Sequence, residues 1–365
     1  MKIAPAEREV KTRTVESTSP RTTATSAAAA SSNELRERIQ RSIGEDLGQI
    51  NRILDQQLQS PHPYMGDILQ HAGHFRGKQI RPVLLLLCQK SLCGQVNQTA
   101  HTLAAVVEMI HTATLVHDDV LDNASSRRHW STINHTWNTE TSVLLGDYLF
   151  SRAFRLAAST GDAVACECIG HATDLTCAGE LHQIAASRTQ SLSERDYFRV
   201  IRGKTGQLFG LSCYLGARAA HASPPVQRQM RIGGIELGMT FQIADDVLDF
   251  TGEKSQTGKD SGNDLANRRL TLPWLRALQL ATPAERDEMR GVLAGSHDRG
   301  SGTGELTEVI QRLAAFKAVQ RGIHSAEQTA QFLVDRCLQR LTALPDSDQC
   351  QLLRDIARFA IQRKA

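Results

Sequence analysis

Two identical strings hold the groups best suited to chemistry in this chain: Asp118-Asp119-Val120-Leu121-Asp122 and Asp245-Asp246-Val247-Leu248-Asp249. Both follow apolar helical patterns. On a helix, positions i and i+4 share a face, so Asp118 pairs with Asp122 and Asp245 with Asp249. Like charges so placed repel, and a cation has to neutralise them. Hard divalent ions with oxygen ligands, Mg²⁺ above all, suit carboxylates that leave room for phosphate and water. One such cluster would read as a solvated acidic helix end; two identical ones argue for metal. Basic groups stand beside both. Lys78 and Arg81 lie in the segment Gly77–Pro82 as a helix begins, Arg127 and Arg128 follow the first cluster, and Lys204-Thr205 and Lys259 flank the second. Each alone is an ordinary surface charge. Recurring beside metal-type clusters, they suggest two diphosphates, one reached through metal and one held directly by Lys and Arg.

The elements that must position these groups are helical. Apolar periodicity predicts helices over 33–58, 99–122, 140–159, 164–187, 205–220, 226–251, 274–294, 304–320, 324–342 and 347–363. The first opens on Ser32/Asn33 as an N-cap. Alternating strand patterns with hairpin turns are missing. The expected fold is all-α, a single large bundle. The chain has 365 residues, 41% of them hydrophobic, with 42 Lys+Arg against 39 Asp+Glu, a formal net charge of +3. That is enough apolar material for a core and too mild a charge to argue for nucleic acid. The longest apolar run, Val83 to Cys88, falls far short of the roughly 20 residues a bilayer needs. Eight cysteines lack the paired C-x-x-C arrangement of structural zinc and mostly sit in apolar patterns, which points to a reduced, cytoplasmic protein. Residues 1–32 are a different material, rich in Ser, Thr and Ala; they read as a disordered tail ahead of one domain over 33–365. Glu7, Glu9 and Glu16 count against an import signal there. Gly295 to Glu305 reads as a solvated loop.

These strings resemble the trans-isoprenyl diphosphate synthases (polyprenyl synthetases) of the bacterial medium- and long-chain type, from about Leu35 to the C-terminus. RGKQIRP is similar to the family's G-G-K-R-x-R-P box, and HTATLVHDDVLDNASSRR to its first aspartate-rich motif with a trailing arginine pair. GELHQ at Gly179–Gln183, Lys204-Thr205, FQIADDVLDF at Phe241–Phe250 and the segment Thr257–Pro273 match further motifs, and RFAIQRKA resembles the family's basic C-terminus. There are departures. Arg76 stands at a usual Gly, Gln79 at a common Arg, His129 at a common Gly, and Arg268-Arg269 at the usual Gly-Lys before Thr271-Leu272-Pro273.

The resemblance implies an antiparallel helical bundle with a central cavity, the isoprenoid synthase type, with the aspartate clusters facing each other across its mouth. Asp118, Asp122, Asp245 and Asp249 would hold three Mg²⁺ ions on an allylic diphosphate. Arg127, Lys204, Thr205, Gln242 and Lys259 would contact that diphosphate too, with Gln183 a weaker candidate. Lys78, Arg81, His111 and Arg128 would hold isopentenyl diphosphate. Asp118, Asp122, Asp245 and Lys204 would carry the catalysis: ionisation of the allylic diphosphate, attack by the isopentenyl double bond, and loss of a proton. Chain length would be read beneath the first aspartates. Ala113 sits roughly 7–8 Å deeper along the helix than Asp118, with Thr114 beside it and Met109 one turn further as a floor. Small Ala113 leaves the way open, so a hexaprenyl-to-octaprenyl product is expected, suited to a respiratory quinone tail. The family also implies a homodimer, without membrane span, touching a membrane at most peripherally for product release. Alternatives are a geranylgeranyl diphosphate synthase, a class I terpene cyclase, whose second metal motif usually carries Asn, Ser and Glu, and a non-catalytic subunit of a heteromeric synthase, a class that typically loses the aspartates kept here.

Overall fold

The side chain of Asn97 accepts a hydrogen bond from the Ala100 amide at 2.9 Å and so caps helix α4 (Gln98–Leu121). Buried residues then occupy every face of α4, from Leu103 through Val106, Val107 and Ile110 to Val116. A helix apolar all round belongs in the middle of a fold. The computed structural model, which describes residues 20–189, 192–251, 269–297, 309 and 311–362, puts it there. In chain order its longer helices are α1 (Pro20–Gln57), α2 (Pro63–Gly73), α3 (Ile80–Cys93), α4, a short α5 (Ile133–Thr136), α6 (Thr139–Ala158), α7 (Ala163–Thr189), α8 (Glu194–Ile201), α9 (Gln207–Ala219) and α10 (Pro224–Thr251). Further helices span Leu272–Leu280, Pro283–His297, Lys317–Arg340 and Asp348–Gln362.

Helices α1, α3, α6 and α9 pack around α4, and α10 packs against α9 and the helix Lys317–Arg340. The four consecutive leucines Leu84–Leu87 of α3 are all fully buried in the main core. Each contributes about 1.5–3 kcal/mol relative to exposure. Gly206, Gly210, Gly234 and Gly238 let α9 and α10 approach closely; a Cβ on Gly234 would stand 2.6 Å from the Phe209 carbonyl oxygen. The all-α architecture is as expected. Among the described residues no helix is long and apolar enough to cross a membrane. All eight cysteines are free, with Cys88, Cys213, Cys337 and Cys350 buried.

Several sequence expectations need correction. The segment 274–294 is two helices, because the ring at Pro283 denies the preceding turn a hydrogen bond and starts a new helix. The break expected between 320 and 324 does not exist; Lys317–Arg340 is continuous. Residues 20–32 belong to α1, so Ser32/Asn33 is not its N-cap; the alanines at 27–30 favour helix strongly enough to carry the turns through. Of the expected loop Gly295–Glu305, residues up to His297 end a helix and the rest lie outside the described residues.

A hairpin also exists where none was expected. Strands β1 (Ser126–Arg127) and β2 (Trp130–Ser131) pair antiparallel, with Arg127 opposite Trp130. The two turn residues, Arg128 (φ 51°) and His129 (φ 68°), are both left-handed, the pattern of a type I′ turn that usually selects Asn and Gly. Helix α2 compensates for the unfavourable residue types. His74 stacks on Trp130 with ring centres 3.8 Å apart, and His71 Nε2 hydrogen-bonds the Ser131 carbonyl at 2.6 Å. Since His129 is exposed, His129→Gly is expected to stabilise the protein by about 1 kcal/mol. A higher urea midpoint with an unchanged slope is the check.

Candidate active site

The last turns of α4 divide the first aspartate string into two roles. Asp118 and Asp122 keep 18% and 28% of their side chains exposed, whereas Asp119, about 100° round the helix, is almost wholly buried. Arg127 from the hairpin folds onto Asp119, with Nη2 2.7 Å from Oδ1 and Nε donating at 2.8 Å to the same oxygen. Burial pushes the Asp119 carboxyl up, and the Arg127 hydrogen bond pulls it back. Helix α10 repeats the division. Asp245 is exposed and Asp249 half-buried on one face, while Asp246 is buried. The Tyr197 hydroxyl donates to Asp246 at 2.5 Å and Gln242 Nε2 donates at 2.9 Å. In both strings the outer pair looks outward and the second aspartate anchors the helix.

A π-helical turn, Arg202–Gly206, links the two motifs. Lys204 Nζ lies 2.5 Å from Glu180 Oε1 and 3.7 Å from Asp118 Oδ2. The next residue turns the other way, with the Thr205 hydroxyl donating to Gln242 Oε1 at 2.9 Å. This requires backbone contact with α7: a Cβ on Gly179 would stand 2.7 Å from the Lys204 nitrogen, and one on Gly203 2.7 Å from the Leu175 oxygen. Burial raises the Glu180 carboxyl, Lys204 opposes that, and Asp118 adds to it. From the segment before the helix Leu272–Leu280, Arg269 Nη2 donates to Asp122 Oδ1.

A second, cationic cluster lies deeper along α4. The Arg81 guanidinium sits 4.8 Å above the Phe209 ring, its Nε buried without a hydrogen-bond partner. Burial lowers its pKa to about 10, against the opposing charge of Glu108. Arg128 donates to the Phe75 carbonyl and lies so close to Gly77 that a Cβ there would collide with the guanidinium. Glu108 is buried and its pKa raised by that burial, with Arg81, Arg128 and Arg76 drawing it down. Burial, then Arg81 and Arg128, hold His111 well below the usual imidazole range, so it is neutral at neutral pH. Lys78 is exposed, just before α3.

The remaining expected residues fall in different places. Gln183, Lys204, Gln242, Asp246 and Arg269 line one cavity of about 60 Å³. Ala113 is fully buried and packs in a cluster with Ile68, Leu69, Leu145 and Leu149; Thr114 is half-buried, and Met109 lies in the main core. Lys259 lies outside the described residues. Sequence reasoning missed Glu108, Glu180 and Tyr197 as parts of the site, and it gave Asp119 and Asp246 no role of their own. Glu108 carried a signal, an acid inside an apolar stripe; Tyr197 carried none.

The outward carboxylates are hard oxygen donors, which fits Mg²⁺. Among the described residues no three His, Cys, Asp or Glu side chains form a closed metal cage. Open carboxylate pairs of this kind suit an ion that takes its other ligands from phosphate and water. The polyprenyl synthetase family model matches residues 62–312. This chain belongs to the polyprenyl synthetase family. As a member it is a prenyltransferase of the isoprenoid synthase fold. It is 34% identical over 323 residues to heptaprenyl diphosphate synthase component 2 of Geobacillus stearothermophilus, covering 88% of this chain and 97% of that one. It is 33% identical to a nonaprenyl diphosphate synthase of Rhodobacter capsulatus, over 88% and 96% of the two chains. Among solved structures, a Caulobacter crescentus polyprenyl synthase complexed with calcium and isoprenyl diphosphate superposes with a TM-score of 0.81 at 30% identity, covering 90% of this chain and 98% of that one.

Two outcomes are expected of the site itself. Tyr197→Phe removes a donor from buried Asp246 and is expected to cost about 1–3 kcal/mol in urea unfolding. The depressed His111 pKa has a definite sign: its contribution to stability is fully present above the unfolded value near 6.5 and is lost as pH falls below it. Relative to His111→Gln, the wild type is expected to lose up to about 1.4 kcal/mol per pH unit below about pH 6.5. Parallel stability curves for the two proteins between pH 7 and 5 would refute this.

Proposed function

We propose that this chain is a long-chain trans-polyprenyl diphosphate synthase, condensing isopentenyl diphosphate repeatedly onto an allylic diphosphate such as farnesyl diphosphate. The carrying observation is the presence of two outward aspartate pairs, Asp118/Asp122 and Asp245/Asp249, together with a separate cationic cluster around Arg81, Arg128 and His111. The allylic diphosphate binds at the mouth, met by Lys204 and also by Arg127, Thr205, Gln242 and Lys259. The four outward aspartates hold Mg²⁺, three ions by family analogy, which when bound supplies Lewis-acid stabilisation of the leaving diphosphate. Lys78, Arg81, Arg128 and neutral His111 orient isopentenyl diphosphate so that its double bond faces the ionising carbon. Lys204 places its fixed charge where negative charge grows on the leaving group. Apolar packing around α4 excludes water from the allylic cation.

The names of the relatives, heptaprenyl and nonaprenyl synthases, support a long product. We place it in the hexaprenyl-to-octaprenyl range, suited to a respiratory quinone tail, made by residues 33–365 acting as one catalytic domain in the cytoplasm. Exposed Val143, Leu144 and Phe154 of α6 with Val164 and Leu181 of α7 support a homodimer. One observation favours a heteromeric enzyme instead, the designation "component 2" of the Geobacillus relative. Activity of the purified chain alone decides between them.

The assay uses purified protein, Mg²⁺, labelled isopentenyl diphosphate and farnesyl diphosphate, with products sized after dephosphorylation. Asp118→Ala or Asp245→Ala is expected to cut turnover roughly a thousandfold, about 4 kcal/mol of charge stabilisation, in a folded protein. Full activity after exhaustive EDTA treatment would overturn the metal reading. Ala113→Tyr is expected to shorten products towards farnesyl and geranylgeranyl diphosphate, its ring entering the Leu145/Leu149 cluster below the aspartates. Met109→Ala is expected to lengthen them. An unchanged length profile in Ala113→Tyr would place the growing tail along another helix.

A further inference from the structure

The two outward carboxylates of the first motif are neutralised differently. Asp118 shares an ammonium group: Lys204 Nζ is 2.5 Å from Glu180 and 3.7 Å from Asp118, so its charge is largely committed to Glu180. Asp122 instead receives the Arg269 guanidinium in a direct hydrogen bond. The pair joins distant parts of the chain. Asp122 is the C-cap of α4, its amide bonded to the Asp118 carbonyl at 2.8 Å, and Arg269 precedes the helix Leu272–Leu280. Arg269 also lowers the pKa of Glu180, so its charge reaches the whole carboxylate group. The side chain is about one-quarter exposed and lines the cavity beside Lys204 and Gln242, where a diphosphate at the mouth can reach it. A guanidinium matches a carboxylate or a phosphate with the same fork of donors, which lysine does not offer.

We propose that Arg269 is the resident counter-ion of Asp122, and that it couples metal binding at the first aspartate motif to diphosphate binding. This rests on the metal and diphosphate reading given above. A divalent ion approaching Asp122 meets a carboxylate already bonded to a cation, and must displace it. Displacing Arg269 leaves a cation facing the incoming metal unless another anion accepts it. A diphosphate does so, because its oxygens can accept the same donors that Asp122 gives up. Metal alone therefore binds weakly, and metal with diphosphate binds well. By linkage, diphosphate strengthens metal binding by the same factor as metal strengthens diphosphate binding. Asp118, whose ammonium partner stays with Glu180, offers the metal its first contact.

The test measures Mn²⁺ binding to the full chain by electron paramagnetic resonance and calorimetry, with and without inorganic pyrophosphate. Wild type, Arg269→Gln and Arg269→Lys are compared, with circular dichroism as a check on folding. Arg269→Gln is expected to bind Mn²⁺ alone about tenfold more tightly than wild type, and to lose most of the enhancement that pyrophosphate gives. Arg269→Lys, which keeps the charge without the fork, is expected to fall between them and serves as the readout if the Gln variant does not fold. Unchanged or weaker Mn²⁺ affinity in the variants, with a normal pyrophosphate response, overturns the coupling and leaves the metal reading standing. Absence of Mn²⁺ binding in all three proteins, with or without pyrophosphate, overturns the metal reading and the coupling with it.

Discussion

Two carboxylates one helical turn apart at the end of a buried helix repel by about 3 kcal/mol, taking roughly 6 Å and an effective dielectric near 20. The geometry around the mouth follows from that repulsion. The π-helical turn brings Lys204 within reach of Asp118, and the segment before Leu272 brings Arg269 to Asp122. Two cations face Asp118, Asp122 and Glu180, so these groups sum to one negative charge. A site left acidic in this way still attracts a cation.

Helix α4 also separates two opposite electrostatic environments. His111 lies seven residues before Asp118, about 10 Å along the axis. Around His111 the carboxylate is the exception: Glu108 is buried among Arg76, Arg81 and Arg128. On the proposed reading, phosphate groups would have two routes to stability along this helix, through a metal at its acidic end and through the guanidinium groups packed near its middle. On the reading proposed above, two diphosphate substrates would be sorted by their depth along α4.

The long elements were legible because their apolar period is sustained: α4, α6, α7 and α10 begin and end within about two residues of where the pattern put them. Short elements were not. Helices α2 and α8 offer too few turns for a period to emerge, and the hairpin at 126–131 uses Arg and His where turn signals would be Asn or Gly. At the site, the i, i+4 relation identified the outward aspartates directly. The inward roles of Asp119 and Asp246 depended on partners brought by tertiary folding. Tyr197 reaches Asp246 across 49 positions of sequence, and nothing local to either residue announces the other. Ala113 shows the same limit: its small size was legible, but not the leucines of α6 that surround it.

The π-helical turn at Arg202–Gly206 carries one residue more than a regular helix would place there. That surplus residue sets the phase between α8 and α9. Removing it would let the turn relax to ordinary helix and rotate α9 by about 100° relative to α8. Lys204 and Thr205 would then no longer address the two aspartate helices at once. Gly203 and Gly206 already restrict residue type in this stretch, and its length is restricted as well, so in related chains a one-residue gap between 202 and 206 would mark a site rebuilt for different work.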